Sequence, residues 1–217
     1  MTPSTNRVSK MSYDSEQREE AIKRKQYAKK SDAIAQLISA IPKCNYSVDV
    51  GFDDIEWMIE KYKTNYDGFE ENPDFQRGWV WTREQQIAFI ESYIRGGVGD
   101  TTRTITLNCS DFQRDQVADS DLKGFVIIDG LQRITAIRQF MKDEFTVFND
   151  VVEGGVTKDF FNGSRFNLKS QQGVRFNVMN FQYKSELLDY YLAINAGGTV
   201  HTKEELNRVR KMRDQLK

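Results

Sequence analysis

The chain has 217 residues, 39% of them hydrophobic and 29% charged, enough for one core of moderate size under a polar surface, with an appended arm. A net charge of −1 argues against a strongly basic nucleic-acid binder, and no apolar run approaches the roughly 18–20 residues of a membrane span. One histidine and two widely separated cysteines remove His-rich metal centres, cysteine zinc sites and disulfide frameworks, so any chemistry must run on Asp, Glu, Arg, Lys, Gln and Asn in a reducing, cytoplasmic setting.

The chain order begins with a polar tail, Met1 to Met11, and a long predicted helix, Ser12 to Ile41, closed by Pro42. Its first half carries Lys23-Arg24-Lys25 and Lys29-Lys30. Its second half spaces Ile34, Leu37, Ile38 and Ile41 as a packed face. Residues 1–44 therefore read as a basic tail and helical arm, and 45–217 as the main domain. The charges of the basic arm read as a solvated helix face, with a contact for DNA as the alternative.

Tyr46 to Val50 alternates as a strand. Asp53 to Tyr62 spaces apolar residues as a short helix, and Lys63 to Asp74 reads as polar loop. Trp79 and Trp81 lie two apart, on one face of an extended segment, and are expected to pack into the core, with stacking on a base as the alternative. Thr82-Arg83-Glu84-Gln85 is a capping box opening a helix to Arg95, with Ile87, Ile90 and Ile94 expected inside and Gly96-Gly97 as its stop.

Thr104 to Asn108 and Phe125 to Ile128 read as strands, the second apolar enough to be central. An amphipathic helix follows from Ile134 to Met141. Short β-like pieces come next, at Glu144 to Phe148, Arg165 to Leu168 and Val174 to Phe181. Ser185 to Asn195 is a helix with Leu187, Leu188, Tyr191 and Leu192 facing inward. Asn195-Ala196-Gly197-Gly198-Thr199 is a tight turn, and Thr202-Lys203-Glu204-Glu205 is a second capping box. His201 is expected on the surface, and Cys44 and Cys109 to be structural. This mixed order predicts an α+β fold in preference to a doubly wound sheet.

Two Gln-Arg pairs stand out, Gln76-Arg77 and Gln132-Arg133, each just before a predicted helix. Arginine offers a rigid fork of donors suited to phosphate, and glutamine adds a neutral donor and acceptor. In Asp129-Gly130-Leu131-Gln132-Arg133 the glycine permits a turn with close backbone approach. Asp129 is placed to hold Mg²⁺ or a water, or alternatively to pin the turn through an ion pair with Arg133.

Asn72-Pro73-Asp74-Phe75-Gln76-Arg77-Gly78-Trp79-Val80-Trp81 resembles the P-x-F-Q-R-x-x-V-W signature of the GmrSD-type N-terminal domain family, of the ParB/sulfiredoxin-like fold group. The turn at Asp129 resembles that family's D-G-Q-Q-R motif. Ile194-Asn195-Ala196-Gly197-Gly198-Thr199 with Glu204-Glu205-Leu206 is similar to its third block. The resemblance covers roughly Tyr46 to Arg210 and implies a small mixed sheet flanked by helices.

The resemblance also implies nucleoside triphosphate binding, often with hydrolysis, and a role in restriction or phage–host conflict. Residue by residue, it assigns phosphate contacts to Arg77 and Arg133 and phosphate orientation to Gln76 and Gln132. Gly130 would supply the close backbone approach and Asp129 the metal or water, with Asn195 near the same pocket. The expected cofactors are a nucleoside triphosphate and Mg²⁺; a nuclease or a second copy of the chain is the expected partner. Leu131 departs from the motif, where the family has glutamine. The single histidine leaves no His-Asn-His nuclease domain in these residues. Two other readings stand beside this one: a metal-dependent DNA nickase using Asp129, and a non-enzymatic scaffold binding DNA or protein through the arm.

Overall fold

The computed structural model describes residues 18–31, 34, 44–112, 120–162, 173–195 and 202–216. The chain divides into two compact units, 1–42 and 43–217. In the first, residues 18–31 are helical and exposed throughout, with Lys23 paired to Glu19 and Arg24 to Glu20 one turn back. Of the expected packed face, Ile34 is exposed and the rest lies outside the described residues, as do residues 196–199 of the expected turn, His201 and the β-like piece at 165–168.

The second unit is a mixed five-stranded sheet covered on both faces by helices. Its strands are β1 (Tyr46–Gly51), β2 (Phe69–Glu70), β3 (Thr104–Cys109), β4 (Phe125–Asp129) and β5 (Gly173–Met179), in the order β1-β5-β3-β4-β2. The β1–β5 and β3–β4 pairs are antiparallel, and β3–β5 and β2–β4 are parallel. The helices are α1 (Ile55–Asn65, after a 3-10 turn at Phe52–Asp54), α2 (Arg83–Ile94), α3 (Asp100–Arg103), α4 (Leu131–Met141), α5 (Lys158–Asn162), α6 (Lys184–Asn195) and α7 (Lys203–Asp214).

Alternation along β4 shows how the layers form. Phe125 and Ile127 face a core shared with Ile55, Ile59 and Tyr62 of α1, Ile90 and Tyr93 of α2, and Ile134, Ile137 and Phe140 of α4. Val126 and Ile128 face the opposite core, with Leu187, Leu188, Tyr191 and Leu192 of α6 and Val209 of α7. Every expected inward residue of α6 is buried.

Other expectations are corrected. Residues 63–74 are not all loop: α1 runs to Asn65, and Phe69–Glu70 adds an edge strand on β4. That edge strand leaves β4 interior, as its apolar run predicts, with β3 at the middle of the sheet. The face α2 buries is Gln86, Phe89, Ile90 and Tyr93, with Ile87 and Ile94 only partly covered, because the aromatic rings fill the space above the sheet. Residues 144–148 form a single bridge, Val147 to Val156, in place of a strand. Trp79 is 61% exposed instead of packed. Its indole Nε1 donates to Thr135 Oγ1 at 3.0 Å.

An ion triad ties the outer faces of α1 and α4. Arg138 donates to Glu56 and also to Glu71 Oε2 at 2.6 Å. The Arg138 guanidinium holds the Glu56 carboxyl below its ordinary value. A depressed folded value contributes stability above the unfolded value of about 4.3, lost as pH falls through the folded value. Acid melting curves taken between about pH 5 and 3 should therefore be steeper for the wild type than for Glu56→Gln. Equal slopes would show that the pair contributes nothing to acid sensitivity.

Candidate functional site

The site grows from the end of β4. Opposite it, Thr106 faces Asp129 while Leu107 faces Ile127, so β4 carries one extra residue, Ile128, at a bulge. A bulge re-aims the residues that follow it. Here it delivers Asp129 and Gly130 to the point where the strand becomes α4.

Gly130 is the residue before the helix and has φ +104°. A Cβ there would sit 2.5 Å from Ile105 Cδ1 and 3.2 Å from Ile105 Cα. Only glycine meets both the left-handed backbone and the close approach to β3. The turn is tighter than periodicity suggests: α4 begins at Leu131, three residues before the expected start, so Gln132 and Arg133 lie in its first turn. Gly130 O accepts from Ile134 N, and no side chain caps the helix. The amides of that first turn have no acceptor within the helix and point toward its N-terminal end, where a helix favours anions.

Arg133 is a fastener as well as a cation. Its guanidinium donates to Asp129, four residues earlier, and its Nη1 donates to Thr101 O at 2.8 Å and Thr102 O at 3.2 Å. The expected alternative for this pair, an ion pair pinning the turn, is what the structure holds. Arg133 also bolts α3 to the start of α4.

Gln132 closes a second fastening. Its Oε1 accepts from Val80 N at 3.0 Å and Trp81 N at 3.1 Å, and its Nε2 donates to Gly78 O at 2.5 Å. The amide thus holds residues 78–81 against α4. Gln76 does the same for the open edge of β4, which β2 pairs only at Phe125 and Val126. Its Nε2 donates to Ile127 O at 2.6 Å. Both glutamine amides, expected to orient phosphate, are engaged with main chain.

Arg77, Arg133 and Asp129 line one cavity of about 280 Å³, together with Gly130, Gln132 and Asn195. With Gln76, all the residues expected at the site line this cavity, joined by Trp81 and Tyr191, expected in the core, and by Thr102, which the sequence did not mark. The volume lies just under the roughly 300–1,000 Å³ of small-molecule pockets. Asn195 Nδ2 donates to Tyr191 O at 2.8 Å, which fixes it at the end of α6. Burial pushes the Tyr191 hydroxyl up to about 12, against the pull of Arg77, so it stays protonated at neutral pH. Leu131, where a polar side chain was the motif's choice, lines the cavity and is buried against the core, which explains an apolar residue there.

Charge in the cavity is nearly balanced. Two guanidinium groups face one carboxylate, Asp129, and Glu205 Oε2 lies 3.7 Å from Arg77 Nη1. Among the described residues, no three His, Cys, Asp or Glu side chains gather as metal ligands. Asp129 offers one carboxylate, so a Mg²⁺ here would take its remaining ligands from phosphate oxygens and water. No helix among the described residues is long and apolar enough to cross a membrane.

No curated protein and no solved structure matches the chain. A family model described as "GmrSD restriction endonuclease, N-terminal domain" matches residues 55–214, a span that contains the sheet's inner strands, both Gln-Arg pairs and the helices flanking the cavity. The chain belongs to the GmrSD restriction endonuclease N-terminal domain family and is a restriction-related protein.

Proposed function

We propose that the cavity binds a nucleoside triphosphate by its phosphate end, and that the protein uses the nucleotide as a switch or a slowly hydrolysed substrate in restriction against foreign DNA. One observation carries this reading: Arg77, Arg133 and the N-terminal turn of α4 converge on one cavity. Arg77 is the cation we assign to direct phosphate contact. Arg133, committed to Asp129 and two carbonyls, supplies field more than hydrogen bonds. Gln76, Gln132 and Asn195 shape the walls, and Gly130 allows the approach. Asp129 is the carboxylate we assign to orient a water. Mg²⁺ belongs in this reading as the nucleotide's counter-ion.

Calorimetric titration with ATP, GTP and CTP, with and without Mg²⁺, tests it. At least one should bind, and Arg77→Ala should weaken that binding by about 10- to 100-fold, the loss of a charge-assisted bond. Phosphate release in the same mixture separates a hydrolase from a switch. Folded protein that binds none of the three overturns the reading.

A second reading rests on the exposed helical residues 18–31, where Lys25, Lys29 and Lys30 follow two glutamate-paired cations. We propose this arm as a contact for DNA backbone, with a nuclease recruited separately. Duplex binding should weaken steeply as salt rises, and deleting residues 1–31 should flatten that dependence. Unchanged binding and salt slope after the deletion would remove the arm from the mechanism.

A further inference from the structure

The segment that carries Arg77 is gripped from outside the cavity by α7. Arg208 Nη1 donates to Asp74 O at 2.9 Å, and its Nη2 donates to Gln76 O at 3.0 Å and Phe75 O at 3.2 Å. One guanidinium thus holds three successive carbonyls, the last of them in the peptide bond to Arg77. Three residues earlier on the same helix, Glu205 reaches the Arg77 guanidinium itself. Positions i and i+3 share one helix face, so a single stripe of α7 addresses both the backbone and the side chain of the arginine.

We propose that Arg208 and Glu205 are positioning residues for Arg77, and that α7 is the element that aims this cation into the cavity. This rests on the nucleotide reading for its functional consequence, but the geometry stands apart from it. Arg208 is exposed and lies beside, not within, either core cluster. A side chain in that place contributes little to folding as a surface residue, yet here it makes three bonds to main chain 132 to 134 residues away in sequence. Other ties on this segment come from α6, α4 and β4: Lys184 Nζ pairs with Asp74 Oδ2 at 2.8 Å, Gln132 holds the carbonyl of Gly78, and Gln76 Nε2 donates to Ile127 O at 2.6 Å. Gln76 and Phe75 anchor the segment through their own side chains, and Arg208 is the side chain that bonds the carbonyls of Asp74, Phe75 and Gln76. Glu205 adds direction, because its carboxylate lies between the helix cap and Arg77: Glu205 Oε2 also accepts from Thr202 N at 2.8 Å.

The consequence is a division of labour that a purely structural role would not produce. Removing Arg208 should free the 74–78 segment locally while leaving the sheet intact, and should weaken nucleotide binding without touching the ligand. Hydrogen–deuterium exchange on the ligand-free full chain reads the first effect. In Arg208→Ala, amides of residues 75–79 should exchange about tenfold faster than in the wild type, with β3 and β5 amides unchanged. Arg208→Lys, which keeps the charge but offers a compact ammonium in place of the fork, should lie between the two. Titration reads the second effect: the affinity for whichever of ATP, GTP or CTP the wild type binds should fall about tenfold in Arg208→Ala, and less in Glu205→Gln.

The outcomes separate the two claims. Unchanged exchange at 75–79 in Arg208→Ala overturns the positioning role whether or not nucleotide binds. Faster exchange throughout, β3 and β5 included, overturns it in favour of a general contribution to folding. Local loosening in a protein that binds no nucleotide supports the positioning geometry and overturns the nucleotide reading instead. Local loosening with undiminished nucleotide affinity overturns the claim that α7 aims Arg77.

Discussion

Gly130→Ala is expected to destabilise the protein by about 3 kcal/mol and to abolish binding in the cavity. Two costs add. The backbone at φ +104° is outside the range an L-residue adopts readily, which costs about 1–3 kcal/mol. The new Cβ would lie 2.5 Å from Ile105 Cδ1 and 3.2 Å from Ile105 Cα, and such overpacking costs a further 1–3 kcal/mol or so. Neither neighbour can yield cheaply: Ile105 is fully buried in β3, and its Cα belongs to the strand at the middle of the sheet. The turn must yield instead, and with it the start of α4. Urea or thermal unfolding checks the first effect, with a melting temperature lower by roughly 6–12 °C for a chain of this size. A melting temperature within a degree of wild type would mean that the turn is not built as described. A melting temperature that falls while ligand affinity persists would separate the turn from the site.

How far the sequence reveals this arrangement depends on whether a signal is local. The two capping boxes are legible because each is a four-residue reciprocal bond, and both form at the expected residues. The buried face of α6 is legible because its four inward residues are apolar, recur at helical spacing and have no competing apolar face. The face of α2 is not, because Phe89 and Tyr93 compete with the isoleucines for the core. β2 has two residues and hence no period to detect. The residues of the candidate site were found through their types and order, and the structure brings Asp129, Gly130, Gln132, Arg133, Gln76, Arg77 and Asn195 to one cavity. Their individual roles were not legible. A Gln-Arg pair next to a helix looks the same whether its amide faces a ligand or a carbonyl, and here both glutamines bond main chain. Arg208 gives no sequence signal at all, since an arginine in the middle of a charged helix is the commonest kind.

Gln132 offers a way to separate fastening from binding, because two substitutions there have opposite consequences. Gln132→Ala removes the acceptor for Val80 N and Trp81 N and the donor to Gly78 O, three bonds at once. Segment 78–81 is partly exposed, so its freed groups reach water, and the expected cost is about 2 kcal/mol in place of the sum for three buried bonds. Trp79 and Trp81 report the release directly. Trp81 packs against Phe89 with ring centroids 5.3 Å apart, and loss of that contact should shift tryptophan emission to the red. Gln132→Glu keeps the acceptor for both amides, and a carboxylate in the first turn of α4 is favoured by the helix dipole. The donor to Gly78 O is lost, and the second carboxylate oxygen must turn from that carbonyl toward water, which the partly exposed segment allows. Stability of the glutamate variant should therefore lie within about 1 kcal/mol of wild type. Its effect on binding should be the larger one: a second carboxylate beside Asp129 leaves the lining with two positive and two negative groups, and a polyphosphate would lose the helix N-terminus as an anion site. If the cavity holds phosphate, Gln132→Glu binds nucleotide at least tenfold more weakly than wild type while remaining nearly as stable. If Gln132→Glu binds as well as wild type and Gln132→Ala does not, the cavity matters only for holding segment 78–81 in place, and the phosphate end of the ligand lies elsewhere.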